Sequence, residues 1–231
     1  MALEGTLGFL GFGNMGGAIL RGLIQSGTLP AERAVVFDIE EGKCAAARDL
    51  GVAVAESEAD LARRSDIVLL AVKPQTMNEA LGNLKPGFTE KTLVISIAAG
   101  VSIAYLRERL GPQVRAIRVM PNTPAMVGAG AAAFAASDNA ADTDRQAAQT
   151  IFGTIGIAVE APEAAMDAVT ALSGSGPAYF FYMVECLVRA AVREGLTEDQ
   201  ATRLAAQTAL GAGRLLSESG ESAAVLRERV T

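Results

Sequence analysis

The sequence predicts an α/β fold in which an N-terminal, doubly wound sheet domain is followed by a smaller all-helical domain. Short apolar runs alternate with helix-like segments from residue 6 to residue 160, an alternation typical of a parallel sheet covered by helices on both faces. Strand patterns stop at about Glu163, where helical patterns take over. Half of the 231 residues are hydrophobic but only 5% are aromatic, which suits helices packed closely on a parallel sheet.

The first part of the chain is predicted to be a regular series of strands and helices. A strand at 6–10 leads into a helical pattern over 18–24, which Gly27 and Pro30 end. The next predicted strands share apolar runs and lie at 33–38, 52–54, 67–72, 93–97 and 116–120. The predicted helices between them lie at 41–50, 59–64, 76–84 and 103–110. Residues 67–72 are the clearest strand, because a continuous apolar run indicates burial on both faces.

The sheet is predicted to continue up to a domain boundary near residue 161. Residues 131–136 and 157–160 extend the sheet, with a helix at 144–152 between them. We therefore expect a sheet domain over residues 1–161 and a helical domain over residues 162–231.

The helices of the second domain have recognisable ends. Pro177 suits the first position of a helix, and Gly195 suits the end of one. Thr197 and Gln200 form a capping box that starts a helix running to about Glu218. Because these Ala-rich helices bury little area each, we expect the domain to pack against a second copy of the chain. The alternative is that it packs on its own sheet domain.

A glycine-rich segment follows the first strand and points to a bound anion. Gly11, Gly13 and Gly16 form a G-x-G-x-x-G series between a strand and a helix. Gly11 allows the tight turn, Gly13 lets the backbone approach a pyrophosphate, and Gly16 lets the helix pack on the strand. A helix N-terminus also attracts negative charge. The segment therefore predicts a Rossmann-like domain that binds a dinucleotide.

The candidate cofactor residues lie at the carboxyl ends of predicted strands, where ligands of doubly wound sheets bind. The complete set is Gly11, Phe12, Gly13, Asn14, Met15, Asp38, Ala71, Val72, Lys73 and Ala99. Asp38 follows Gly16 by roughly the 20 residues that place an acid on the adenosine ribose, which favours NAD over NADP. Lys73 is a cation at a strand end, for which we favour positioning over proton transfer. Asn122 lies between two prolines and is a candidate wall for substrate or nicotinamide.

Composition excludes several classes of function. The net charge of −6, with no basic run, argues against a nucleic-acid surface. The chain has no His, and Cys44 and Cys186 lie far apart, so we expect no metal site and no Cys-His catalytic pair. No apolar stretch approaches the length of a membrane span, and no leader pattern is present, so we expect a cytoplasmic protein without a membrane partner.

The chain resembles pyrroline-5-carboxylate reductases in five segments that occur in order. These segments are Gly8–Gly16, Ala71–Gln75, Ser96–Gly100, Arg118–Pro124 and Ala171–Tyr179. The resemblance implies hydride transfer from NADP or NAD in its reduced form to the C=N bond of 1-pyrroline-5-carboxylate, which yields L-proline in the last step of proline biosynthesis. It implies that Lys73 and Ala99 lie near the amide end of the cofactor and Glu163 near the substrate ring. It also implies homodimers formed through the C-terminal helices, assembled in some members into decamers.

The implied chemistry suits a chain without His. A cyclic imine protonated in water already accepts hydride well, so the enzyme needs mainly to align the two reactants. No catalytic acid or base is assigned. Members of the family continue past residues 226–230 into a Ser-Pro-Gly-Gly-Thr-Thr loop that holds the substrate carboxylate. The sequence stops at Thr231, where that loop would start, and we expect it to be truncated at its C-terminus.

Two other functions compete with this interpretation. A β-hydroxyacid dehydrogenase shares the domain order but uses a lysine on a C-terminal helix, and no Lys occurs from Glu163 to Leu216. Alcohol oxidation needs a base that imine reduction does not, so the absence counts against this class. A non-catalytic dinucleotide-binding protein is the second alternative.

Overall fold

The computed structural model describes residues 3–230 and divides into two compact units. The sheet unit ends at Gly174, and the helical unit begins at Ser175. The units divide later in the chain than the predicted boundary near residue 161. The reason is that Met166 is fully buried in the core of the sheet unit and holds the segment around it there.

The sheet unit contains one eight-stranded sheet with the order β3-β2-β1-β4-β5-β6-β7-β8. Neighbouring strands are parallel except for β6 and β7, which are antiparallel. The strands are Leu7–Leu10 (β1), Ala34–Phe37 (β2), Ala53–Val54 (β3), Ile67–Leu70 (β4), Leu93–Ser96 (β5), Arg115–Met120 (β6), Gly130–Ala136 (β7) and Gly156–Glu160 (β8). The chain order reverses direction at β1, which pairs with β2 on one side and β4 on the other. This is the switch point at which doubly wound sheets bind ligands.

Helices connect the strands as the alternating pattern predicts. They are Asn14–Gln25 (α1), Glu41–Arg48 (α2), Glu58–Arg63 (α3), Met77–Leu84 (α4), Ile103–Leu110 (α5), Asp142–Gly153 (α6) and Met166–Val169 (α7), followed by a π-helical turn at Thr170–Gly174. Helix α1 begins at Asn14, before the apolar periodicity that starts at Ala18. Apolar periodicity did not reveal the first turn of this helix, because Gly16 and Gly17 have no side chains.

The core lies on both faces of the sheet. In β1, Phe9 packs in one buried cluster and Leu10 in the other, and in β4 Leu69 and Leu70 divide in the same way. All four residues are no more than 2% exposed. Because successive side chains of a strand point to opposite faces, a strand covered on both sides must be apolar throughout. The predicted α/β architecture with a doubly wound sheet is thereby confirmed.

In its described residues 175–230, the helical unit has three helices, Gly176–Arg193 (α8), Glu198–Glu218 (α9) and Ala223–Glu228 (α10). The predicted capping box is present, since Thr197 Oγ1 accepts from Gln200 N at 3.3 Å and Gln200 Oε1 accepts from Thr197 N at 3.0 Å. Of the described residues 175–230, only Gly176 and Ala201 are buried. No helix in the described part of the chain is both long and apolar enough to cross a membrane.

The stability of the sheet unit should depend on the central strands. Phe9 is fully buried, so replacing it with Ala should lower the free energy of unfolding by about 3–5 kcal/mol. Val127 is 81% exposed, and Val127→Ala should change it by less than about 0.5 kcal/mol. Urea unfolding at one protein concentration measures both. Similar losses in the two variants would contradict the assignment of the core.

Candidate active site

The carboxyl ends of β1, β2 and β4 meet at Gly11. Its backbone N–H donates to Phe37 O at 2.8 Å, and its φ is +95°. A Cβ at this position would lie 2.9 Å from both the carbonyl carbon and the oxygen of Ala71. Gly11 is therefore required twice, by its backbone conformation and by the close approach of β4.

The other two glycines of the loop have separate tasks. A Cβ on Gly16 would lie 2.8 Å from Gly11 O and 3.3 Å from Ala71 Cβ, so Gly16 lets α1 pack against the loop. A Cβ on Gly13 would meet nothing within 4 Å, so open space lies beside it. Gly13 is the N-cap of α1 and provides no side-chain cap. The free amides of the first turn, at Asn14 and Met15, are therefore available to an anion in this space.

Asp38 braces the loop in a way that its spacing from Gly16 did not indicate. Its Oδ2 accepts from Phe12 N at 2.7 Å, and its Oδ1 accepts from Glu40 N at 2.9 Å. The side chain is 7% exposed. Both oxygens thus hold backbone amides, one in the glycine-rich loop and one after β2. Its contact with an adenosine ribose stays a prediction.

Lys43 is a neighbour of this carboxylate that sequence reasoning missed. Its Nζ lies 2.6 Å from Glu40 Oε1 and 3.8 Å from Asp38 Oδ2. The hydrogen bond to Glu40, aided by the negative charges of both carboxylates, raises the pKa of the Lys43 ammonium above its usual value. The helical spacing of Glu40 and Lys43, three residues apart, is the signal that could have revealed the pair.

A cleft of about 130 Å³ lies beside Gly11 and Asp38. Ile39, Val72 and Ala80 form part of its wall, and Ile39 is 84% exposed. Apolar side chains around a narrow cleft suit a flat aromatic ring, because such a ring buries its faces against them. The apolar part of the lining therefore suits a nucleotide base next to the glycine-rich loop.

Lys73 and Ala99 follow the adjacent strands β4 and β5 and are both exposed. Lys73 O accepts from Thr76 N at 3.1 Å and from Thr76 Oγ1 at 3.0 Å, which closes a turn that Pro74 begins. Ala99 precedes Gly100, whose φ is +76°. The structure thus brings both predicted residues to the same edge of the sheet as Gly11.

Asn122 is a brace between three segments. It is 9% exposed, its Nδ2 donates to Ser173 O at 3.0 Å, and its Oδ1 accepts from Ala131 N at 2.9 Å. The side chain thus joins the end of β6 to β7 and to the π-helical turn. Its effect on a ligand would act through the position of these backbones, and direct contact stays a prediction.

Glu163 lies at the start of α5 and beside Arg118. Its Oε1 accepts from Ile103 N at 2.8 Å and lies 3.5 Å from Arg118 Nη1. Arg118 is 14% exposed and stands in an otherwise apolar stretch of β6. A charge flanked by apolar residues within a strand was the signal for this pair, which sequence reasoning missed. The carboxylate therefore caps a helix that follows β5 and neutralises a nearly buried cation.

The switch-point loop, the free helix N-terminus and the base-sized cleft define an α/β protein of the dinucleotide-binding class. Residues 163–231 match the family model described as pyrroline-5-carboxylate reductase dimerisation, and residues 6–100 match one described as NADP oxidoreductase, coenzyme F420-dependent. A pyrroline-5-carboxylate reductase of Methanosarcina acetivorans is 44% identical over 97% of this chain and 84% of its own. The chain belongs to the pyrroline-5-carboxylate reductase family, which confirms the resemblance inferred from the sequence.

Solved structures agree with this assignment. A pyrroline-5-carboxylate reductase from Coxiella burnetii superimposes with a TM-score of 0.93 at 35% identity, covering 98% of this chain and 85% of that one. The Plasmodium falciparum enzyme, solved with NADP bound, gives a TM-score of 0.87 at 32% identity, with coverage of 100% and 86%.

The Glu163 cap should contribute measurably to stability. Glu163→Ala leaves the Ile103 amide and the Arg118 guanidinium without this acceptor, so the free energy of unfolding should fall by about 1–3 kcal/mol. Glu163→Gln retains an acceptor oxygen and should lose less. The control is Glu160→Ala, which removes an exposed pair with Arg145 and should cost about 0–1 kcal/mol. Equal costs for the two alanine variants would show that the cap adds nothing.

Proposed function

We propose that this chain reduces 1-pyrroline-5-carboxylate to L-proline with NADH or NADPH, the last step of proline biosynthesis. Family membership over nearly the whole chain carries this proposal. The glycine-rich loop supports it independently, because Gly11 and Gly16 keep α1 close to the sheet while Gly13 leaves space for a pyrophosphate.

The residues fit the cofactor that the family implies. We propose that the backbone of Gly11–Met15 holds the pyrophosphate, that Asp38, Ala71 and Val72 line the adenosine end, and that Lys73 and Ala99 lie beside the nicotinamide end. When bound, the reduced nicotinamide supplies a hydride. The protein would contribute position and exclusion of water rather than a strong acid, because a protonated imine already accepts hydride.

The substrate side of the proposal involves Asn122 and Glu163. Asn122 fixes the Ser173 carbonyl and the start of β7, and Glu163 holds the first turn of α5. Both side chains thus position backbone around the carboxyl edge of the sheet. A side chain held by two partners loses little further freedom when a ligand binds, which is how such braces favour an aligned complex.

The assay that tests the function follows the absorbance of the reduced cofactor. We expect oxidation of NADH or NADPH that depends on added pyrroline-5-carboxylate, and reduction of the oxidised cofactor by proline at high pH. Turnover with β-hydroxyacids but not with the imine would overturn the proposal. Binding of cofactor without any turnover would reduce the chain to a dinucleotide-binding protein.

Gly13 provides a specific test of the loop. Gly13→Ala should raise the KM for the cofactor by about tenfold or more, which is roughly 1.4 kcal/mol of lost binding, since the methyl group would occupy the proposed pyrophosphate space. The melting temperature should stay unchanged, because no heavy atom of residues 3–230 beyond its chain neighbours lies within 4 Å of the added methyl group. Gly16→Ala should instead lower the melting temperature, because its Cβ would collide with Gly11 O.

The matched control for this pair is Gly153→Ala, in which the new methyl group also meets nothing within 4 Å but lies at the end of α6. It should leave both the KM and the melting temperature as they are. An unchanged KM in Gly13→Ala would exclude a pyrophosphate from this space.

We propose further that the protein is a cytoplasmic homodimer formed through the helical unit, and that dimers assemble into a decamer. The exposed apolar surface of α8 supports dimer formation. Phe180 and Phe181 are 62% and 66% exposed, and on α9 Leu204 and Leu210 are 60% and 64% exposed. Exposed apolar surface of this extent is typical of a protein interface.

A charge placed on this surface should dissociate the dimer. Phe181→Glu should give the monomer mass by analytical ultracentrifugation at micromolar protein, while the unmodified chain sediments as a dimer or larger assembly. The charge reversal Arg63→Glu on α3 of the sheet unit is the control, because that side chain is 57% exposed and pairs only loosely with Asp60 at 3.8 Å. A monomeric unmodified chain would refute the proposal.

A further inference from the structure

We infer that Glu40, together with the carboxylates that line the cleft beside Gly11 and Asp38, makes this chain select NADH over NADPH. The inference rests on the proposed function and deepens it, since it concerns which of two cofactors the same site accepts. NADPH differs from NADH by a phosphate on the adenosine 2′ oxygen. The question is therefore what charge that phosphate would meet.

The charged side chains among the largely apolar lining of the cleft are all acidic. Asp38, Glu58 and Glu79 line it, and the described residues that line it include no Lys or Arg. Glu58 is held in place by Asn83, whose Nδ2 donates to Glu58 Oε1 at 3.1 Å. A second phosphate brought into this cleft would meet like charges, and like charges in a partly enclosed site raise the cost of binding.

Lys43 is the cation that stands beside this wall, and Glu40 engages it. The 2.6 Å contact between Lys43 Nζ and Glu40 Oε1 is supplemented by Asp38 Oδ2 at 3.8 Å. The other cation of α2, Arg48, pairs with Glu41 at 2.6 Å. A 2′-phosphate would have to draw Lys43 away from two carboxylates before it gained a charge partner of its own.

Asp38 is not free to move aside for a phosphate. Its two oxygens hold the amides of Phe12 and Glu40, so a rotation of the carboxylate would release the glycine-rich loop. The Glu40 side chain, by contrast, is 65% exposed, and among the described residues Lys43 is the partner that holds it. Glu40 is therefore the carboxylate that can be neutralised without disturbing the loop, whereas the charge of Asp38 cannot be removed without releasing it.

Binding of the oxidised cofactors without substrate tests the inference apart from turnover. Calorimetric titration of the full chain should give a Kd for NADP⁺ at least about tenfold above that for NAD⁺. Glu40→Gln combined with Glu79→Gln should reduce this ratio by about tenfold, chiefly through a lower Kd for NADP⁺. The ratio should also shrink as salt is added, because the effect is electrostatic.

Glu41→Gln is the matched control. It removes one negative charge from the first turn of α2, but Glu41 is 77% exposed and pairs with Arg48 instead of Lys43. It should leave the NADP⁺ to NAD⁺ ratio within about twofold of the starting value. The single variant Glu40→Gln, which keeps every contact of Asp38, provides a second measurement if the double variant is unstable.

The outcomes separate the two proposals. Equal or tighter binding of NADP⁺ by the unmodified chain overturns the inference and leaves the proposed function intact. A ratio that falls equally in Glu41→Gln and in Glu40→Gln also overturns it, because net charge alone would then account for the effect. Selective binding of NAD⁺ with no turnover of pyrroline-5-carboxylate supports the inference and contradicts the proposed function.

Discussion

The geometry of the proposed cofactor site depends on the contact of Gly11 with the ends of β2 and β4. Its amide is bonded to Phe37 O, and the Ala71 carbonyl leaves no room for a Cβ. Because Gly16 then packs directly on Gly11 O, the same contact fixes where α1 begins and which way its free amides point. One close approach of backbones thus sets the turn, the helix direction and the open space beside Gly13.

Asp38 adds a negative charge to the same arrangement of backbone. A carboxylate that holds the amides of Phe12 and Glu40 ties the loop after β1 to the loop after β2. The geometry of the loop and the sign of the charge at the adenosine end are therefore coupled in one side chain. A substitution that removed the charge of Asp38 would also release these two amides and loosen the loop. Removing the charge of Glu40 costs less stability, because its side chain is largely exposed.

Most of the fold followed from the sequence, because its signals are local. Most strands of the sheet are apolar runs, and most helices have their own periodicity or caps, as Thr197 and Gln200 illustrate. The start of α1 could not be read from periodicity, since Gly16 and Gly17 carry no side chains. The partners of Asn122 and Glu163 could not be predicted either. Asn122 bonds to Ser173 and Glu163 to Ile103, and the members of each pair lie far apart in sequence and meet only through the sheet topology.

These braces bear on how a chain without His can reduce an imine. Asn122 fixes the π-helical turn through Ser173, and Glu163 fixes the segment after β5 through Ile103 and Arg118. The polar atoms of both side chains therefore hold the backbone in position, and we assign neither side chain a role in proton transfer. A reaction whose acceptor is activated by its own protonation gains most from alignment, and alignment comes from supporting contacts of this kind. The absence of His and the presence of braces that position the backbone are thus consistent with the same chemistry.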